Sequence, residues 1–331
     1  MEVITFDSLE FMVKEVRANT KKVLITFHSI GDSDSVASAL ALKEIFGDYA
    51  TIATPDAITA NAIRMLKAVD INPKIITNDF DDADIIFLVD VNNFEDCGSF
   101  RYKLEEFEKN IIIIDHHMLH QINKQNVFVF NNEKYNSTSS IIYNLLKRIK
   151  QPISKILAYI ILYGIISDSA DLKNAFPETF IQIGELLKYV GVDYDELLSK
   201  IEPMIDAKSR EETMEDVCKA EKIIIGKLLF IYGKAHSHAN VSADVALRSG
   251  ADIVLFYSLN SEGISLSARL AETLDKLYGI HLGKIMKDLA PIIKGSGGGH
   301  PCAAGAYGPV AEAEEQFKQA FIEKIKYYVE R

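Results

Sequence analysis

Four polar clusters in this chain carry ionisable side chains where apolar runs stop. They are His28, Asp32 and Asp34 in HSIGDSD; Asp90 in FLVDVNN; Asp115, His116 and His117; and Asp168 in GIISDSAD. Ionisable groups at the end of a buried segment are costly unless they bind something. Asp and neutral His are the usual ligands of Mn²⁺ and related cations. None of the four clusters holds a cysteine, which argues against a structural zinc site. Two metals roughly 3.5–4 Å apart can clamp a phosphoryl group and share an activated water. His28, Asp32, Asp34, Asp90, His116 and Asp168 supply the ligands such a centre needs, including a carboxylate to bridge.

The elements that must position these residues can be read around them. Ile111 to Ile114 are four β-branched residues in a row, the pattern of a strand buried on both faces inside a parallel sheet. Residues 22–27, 49–54, 85–89 and 127–130 read as further strands. Residues 8–19 (with Ser8 as N-cap), 36–46, 57–67, 141–149, 156–167, 184–191 and 195–201 read as helices. This alternation predicts an α/β fold with a doubly wound, mostly parallel sheet over residues 1–202. Ligands of such sheets sit at the carboxyl ends of the strands, where the four clusters fall. Residues 203–222 read as a linker, polar from 203 to 213 and helical over 212–219. Residues 223–331 predict a smaller α/β domain with a mixed sheet. Its strands are placed at 228–232, 253–257 and 263–268, and its helices at 270–277, 282–289 and 311–329. A glycine-rich loop, 295–299, precedes His300.

Composition narrows the function classes. The net charge is −11; residues 1–220 hold 23 Lys and Arg against 35 Asp and Glu, and residues 221–331 hold 13 against 12. An acidic chain is a poor partner for long duplex DNA, which relies on many Lys and Arg contacts to phosphate. No apolar run reaches the ~18 residues that suggest a membrane span. The amino-terminal residues are acidic and amphipathic, unlike a signal peptide. Cys97, Cys218 and Cys302 lie too far apart for a CxxC site and fit a reducing, cytoplasmic setting. His236 and His238, at i and i+2, read as a solvated loop.

Together these motifs resemble the DHH phosphoesterase family. The family motif stands as Asp115-His116-His117, and HSIGDSDSVASALAL (28–42) is similar to the family's H-x-x-x-D-x-D-x-x-x-S pattern, with Ser38 on the following helix. GSGGGHPCAAGA (295–306) and Ser267-Ala268-Arg269 are similar to the signature of the DHH-associated domain. Ser33 stands where many relatives have Gly, and Gly31 where Pro is common. The resemblance implies two Mn²⁺ ions, with Mg²⁺ or Co²⁺ as substitutes. His28 and Asp32 would hold one and Asp34, His116 and Asp168 the other, with Asp90 bridging. It implies that His117 faces the substrate phosphate and that Asp115 orients the histidines. Arg269, through a bidentate phosphate contact, and Gly297, Gly298, Gly299 and His300 would hold the substrate's far end.

The expected function is Mn²⁺-dependent hydrolysis of short oligonucleotides, as in the nano-RNases of this family, extending to 3′-phosphoadenosine 5′-phosphate or linear dinucleotides. The partners expected are short oligonucleotides or nucleotide phosphates, with no membrane and with room for a homodimer. The alternatives are a RecJ-like exonuclease on longer single strands, an inorganic pyrophosphatase of the same superfamily, and a non-catalytic nucleotide sensor.

Overall fold

A computed structural model describes the chain except residues 21, 81, 170, 171, 173, 174, 202–205, 262 and 331 and the side chains of 198–201. The chain divides into two compact units, residues 1–203 and 204–331. Part of the expected linker, 203–205, lies outside the described residues.

In chain order the first unit runs β1 (Glu2–Val3), α1 (Phe6–Asn19), β2 (Val23–Thr26), β3 (Ile30–Gly31), α2 (Ser33–Phe46), β4 (Ala50–Ala53), β5 (Ala57–Ile58), α3 (Ala60–Ala68), β6 (Ile76–Thr77), β7 (Ile85–Val89), α4 (Arg101–Glu106), β8 (Ile111–Asp115), β9 (Val127–Asn131), α5 (Thr138–Arg148), α6 (Lys155–Asp168), α7 (Pro177–Val190) and α8 (Tyr194–Ile201). Seven strands form one sheet in the order β1-β9-β8-β7-β2-β4-β6, and every neighbouring pair in it is parallel. The expected doubly wound parallel sheet is what the chain forms.

The isoleucine run shows why. Ile112 and Ile114 pack into the core on one face of the sheet, Ile111 and Ile113 into the core on the other. All four are fully buried, and each contributes roughly 1.5–3 kcal/mol relative to an exposed position. α2 and α6 supply much of the first core, from Val36 to Ile45 and from Leu157 to Ile166. Strand order reverses direction between β2 and β7: β4 and β6 extend one way, β8 and β9 the other. That boundary is the switch point where open α/β sheets bind ligands.

The second unit runs α9 (Ala207–Lys219), β10 (Glu221–Ile225), β11 (Leu228–Lys234), α10 (Ala239–Arg248), β12 (Ile253–Asn260), β13 (Gly263–Leu270), α11 (Leu274–Tyr278), α12 (Leu282–Leu289), β14 (Ser296–Gly299), β15 (Ala303–Gly308) and α13 (Glu314–Val329). Its six strands are ordered β10-β11-β12-β13-β15-β14. Only β11 and β12 run parallel, so the sheet is mixed, as expected.

Several local expectations are corrected. Thr5, not Ser8, caps α1, accepting the Ser8 amide at 3.2 Å. The helix expected at 57–67 begins at Ala60, because Thr59 caps it and Ala57–Ile58 pairs with β3 instead. α9 begins at Ala207 rather than 212, because Asp206 caps it. The helix expected at 270–277 shrinks to Leu274–Tyr278, because β13 continues to Leu270 and pairs there with Ile253. The glycine-rich loop is an edge strand, β14, paired along its length with β15. Among the described residues, no helix is long and apolar enough to cross a membrane.

Candidate metal centre

The carboxyl ends of β2, β7 and β8, the last turn of α6 and the first turns of α2 and α5 supply the side chains of the site. His28 follows β2 by two residues. Asp32 is the N-cap of α2, its Oδ1 accepting the Ser35 amide at 3.0 Å. Asp34 sits in the first turn of the same helix and is fully buried. Removing a carboxylate from water costs several kcal/mol unless it is paired. The compensation comes from α5: the Thr138 N–H donates to Asp34 Oδ2 at 2.7 Å and the Ser139 N–H to Oδ1 at 2.8 Å. Two helix amino-termini, each carrying partial positive charge, therefore start on site carboxylates. Ser38, one turn along α2, lies 3.2 Å from Ser139 through their hydroxyls and ties α2 to α5.

Asp90 follows β7 with φ of +61°, in the left-handed region. Asp tolerates that region better than most residues, and the turn places its carboxylate between two groups. Oδ2 lies 3.7 Å from His28 Nε2, and Oδ1 lies 3.6 Å from His116 Nε2. Thr138 Oγ1 donates to Oδ1 at 3.1 Å. His116 Nε2 also approaches Asp168 Oδ2, at 2.9 Å. One ligand atom each from His28, Asp32 and Asp90 lie within 4.8 Å of one another, as do atoms from Asp34, His116 and Asp168. The six residues singled out by the sequence thus come together as two triads. The Asp90 carboxylate faces a histidine of each.

The electrostatics suit cations. Burial pushes the Asp34 carboxyl well above the usual range, and Asp90 and Asp168 push it further. Burial would also raise Asp90, but His116 and His28 hold it below the usual carboxylate range. Burial would lower His116; Asp168 and Asp90 override it and hold the imidazolium well above its ordinary value. His116 Nε2 is buried and has no hydrogen-bond partner of proper geometry, close as Asp168 is. Nitrogen and carboxylate donors meeting off-line fit a borderline divalent cation.

Asp115 and His117 have a different place. Asp115 is fully buried and its Oδ1 holds His117 Nδ1 at 2.9 Å. The half-exposed His117 ring is raised above its ordinary value, chiefly by this carboxylate. Asp115 bonds His117 but not His116, so the neighbouring histidines are held by different partners. Asn92, missed by the sequence reading, organises this corner. Its Nδ2 donates to Asp115 Oδ2 and to the Met118 carbonyl, the latter at 3.2 Å, and its Oδ1 accepts the His120 amide at 2.7 Å. One buried amide therefore pins the turn that carries His117.

Thr138, in the first turn of α5 and before the expected helix at 141–149, carries no signal of its role in the sequence. Thr138→Val keeps the side chain's shape but removes the donor to Asp90. It should weaken divalent-cation affinity roughly 10–100-fold, with Thr138→Ser restoring most of it. Calorimetric titration with Mn²⁺ checks this, and unchanged affinity in the valine variant would exclude the orienting role.

The remaining singled-out residues lie in the second unit. Across β15, Ala303 pairs with Arg269 and its carbonyl accepts the His300 amide at 2.8 Å. Arg269 and His300 therefore flank one strand position at one end of the sheet. Arg269 is heavily engaged: Nε donates to Asp244 Oδ1 at 2.6 Å, and Nη1 to Ser267 Oγ at 3.0 Å and the Ala268 carbonyl at 3.1 Å. The glycines differ. A Cβ at Gly297 would strike the Met286 carbonyl and one at Gly299 the Ala303 carbonyl, whereas at Gly298 it would meet nothing within 4 Å.

Residues 22–165 match the DHH family, N-terminal domain, and residues 226–327 match the DHHA1 domain. An uncharacterized protein of Methanocaldococcus jannaschii is 26% identical over 314 residues, 90% of each chain. A probable manganese-dependent inorganic pyrophosphatase of Streptococcus mutans is 29% identical over 185 residues, 53% of this chain and 57% of its own. Among solved structures, an exopolyphosphatase-related protein from Bacteroides fragilis shares the fold with a TM-score of 0.79, at 19% identity over 98% of both chains.

Proposed function

Because the chain belongs to the DHH family of phosphoesterases, with a DHHA1 domain behind its DHH domain, we propose that it is a manganese-dependent phosphodiesterase of short oligonucleotides. The observation that carries this reading is the pair of ligand triads facing the two oxygens of Asp90. His28 and Asp32 would hold one cation, Asp34, His116 and Asp168 the other, and Asp90 both. Two divalent cations there would polarise the phosphoryl oxygens and acidify a water.

The chain's own residues do the rest. Asp34, fixed by two α5 amides, and Asp90, fixed by Thr138, keep the ligand set rigid before substrate arrives. Such preorganised donors avoid reorganisation during the reaction. His117, with Nδ1 held on Asp115, presents its other ring nitrogen for the phosphate or for the leaving oxygen's proton. In the second unit, the open side of Gly298 lets a nucleotide approach the backbone of β14, and His300 offers a side-chain contact. Arg269, already bound to Asp244, acts by positioning this end of the sheet more than as a bidentate phosphate clamp.

The decisive assay incubates the full chain with Mn²⁺ and labelled RNA and DNA of two to seven residues, 3′-phosphoadenosine 5′-phosphate and pyrophosphate. Stepwise release of mononucleotides supports the reading. Turnover of pyrophosphate alone would favour the second reading, to which the likeness to the streptococcal enzyme points. The division of labour has its own test. His300→Ala should cost roughly 1–3 kcal/mol in kcat/KM on a dinucleotide, a typical loss for one hydrogen bond to a charged group, and much less on bis-p-nitrophenyl phosphate. Equal losses on both would remove His300 from substrate binding.

A further inference from the structure

His236 sits in the exposed loop between β11 and α10, but its ring is anchored. Asp216 of α9 is buried, and its two oxygens are used inward. Oδ1 holds His236 Nδ1 at 2.5 Å, and Oδ2 accepts the Ser242 hydroxyl at 2.7 Å. The His236 backbone N–H reaches both oxygens at 3.3 Å. An ionised carboxylate only accepts, so Nδ1 carries the proton in this pair. Nε2 is then the ring nitrogen without a partner among the described residues, on a ring that is half-exposed. His236 lines a cavity of about 320 Å³ with Asp216, Lys219, Lys234 and Ala235.

Two lysines and two carboxylates, Asp216 and Glu215, stand around that cavity, and they are not paired alike. Lys219 lies 2.5 Å from Glu215 and is neutralised there. Lys234, the exposed last residue of β11, has no ion-pair partner among the described residues. The cavity therefore offers one lysine without an ion pair and one free imidazole nitrogen, on a ring held by Asp216, whose own carboxylate is turned onto His236 and Ser242. Nothing in the proposed phosphodiester chemistry uses them.

We propose that this cavity binds the phosphate group of a small phosphorylated ligand, as a site distinct from the Arg269 and His300 end of the same sheet. Strand register separates the two. Lys234 pairs with Tyr257 and Arg269 with Val254, three residues or ~10 Å along β12, and His236 lies further still beyond Lys234. A phosphate monoester suits the donors. Its charged oxygens match Lys234, and near its second ionisation it still presents a P–OH, from which the bare Nε2 can accept.

The test uses the full-length, metal-free chain with inorganic phosphate as the probe. The Cε1–Hε1 signal of His236, assigned by its loss in His236→Asn, is followed through a phosphate titration. A saturable shift is expected, and it should persist in Asp90→Asn. Lys234→Gln, a change at an exposed position, should weaken the apparent Kd roughly tenfold, the loss of one charge-assisted contact. The proposal fails if the His236 signal does not saturate or if Lys234→Gln leaves the Kd unchanged. It also fails if the shift vanishes in Asp90→Asn, which would place the phosphate at the metal centre.

Discussion

Asp90→Asn should lower turnover of a dinucleotide by ~10³-fold or more, because groups that act as one catalytic unit fail together. The substitution is chosen for the backbone. At φ of +61°, Asn is accommodated almost as well as Asp, whereas a β-branched or bulky residue would add strain. Shape and fold are therefore retained, and only the charge is lost. That charge is what faces His28 on one side and His116 on the other, at 3.7 and 3.6 Å. An amide could still accept from Thr138 but could not serve two cations. Rates close to wild type in Mn²⁺-replete buffer would end the shared-ligand assignment.

The second large effect is on metal removal. Exhaustive chelation should abolish activity and lower the melting temperature, and Mn²⁺ should restore both better than Ca²⁺. Imidazole nitrogens suit transition metals, whereas Ca²⁺ prefers oxygen alone. Four aspartates, two of them buried, crowd the centre. A cation at a hundred times its Kd adds about 2.7 kcal/mol to the folded state, which for a domain of this size corresponds to roughly 5–10 °C. Full activity after chelation, or a melting point indifferent to Mn²⁺, would contradict the two-triad centre.

Much of this was legible because strand ends are conspicuous. Ile85 to Val89 and Ile111 to Ile114 are uniformly apolar, so Asp90 and Asp115 stand out where each run stops, and parallel pairing brings those ends to one edge of the sheet. What could not be read was who holds whom. The bond from α5 amides to Asp34 spans 104 and 105 residues and uses backbone donors, which carry no side-chain signature. Asn92 carries no local signal either, because its partners Asp115, Met118 and His120 lie 23, 26 and 28 residues further on. Likewise, glycines at 297–299 suggest a loop by composition, yet pairing with β15 makes them a strand. The same holds for His236: the loop is solvated as expected, but its partner Asp216 lies 20 residues away on α9 and carries no local signal.

That strand has a consequence for local opening. β14 is the outermost strand of its sheet, reads Ser-Gly-Gly-Gly, and is hydrogen-bonded to a neighbouring strand on one side only. Each glycine in a strand interior gives up roughly 0.5–1 kcal/mol relative to alanine, so the free energy that keeps β14 closed is small compared with that of the central strands. Its amide hydrogens should exchange with solvent early, and a ligand lying along Gly298 would slow them. Occupancy of this edge can then be followed by hydrogen exchange without any turnover. Part of every measured affinity there is the work of holding the strand shut.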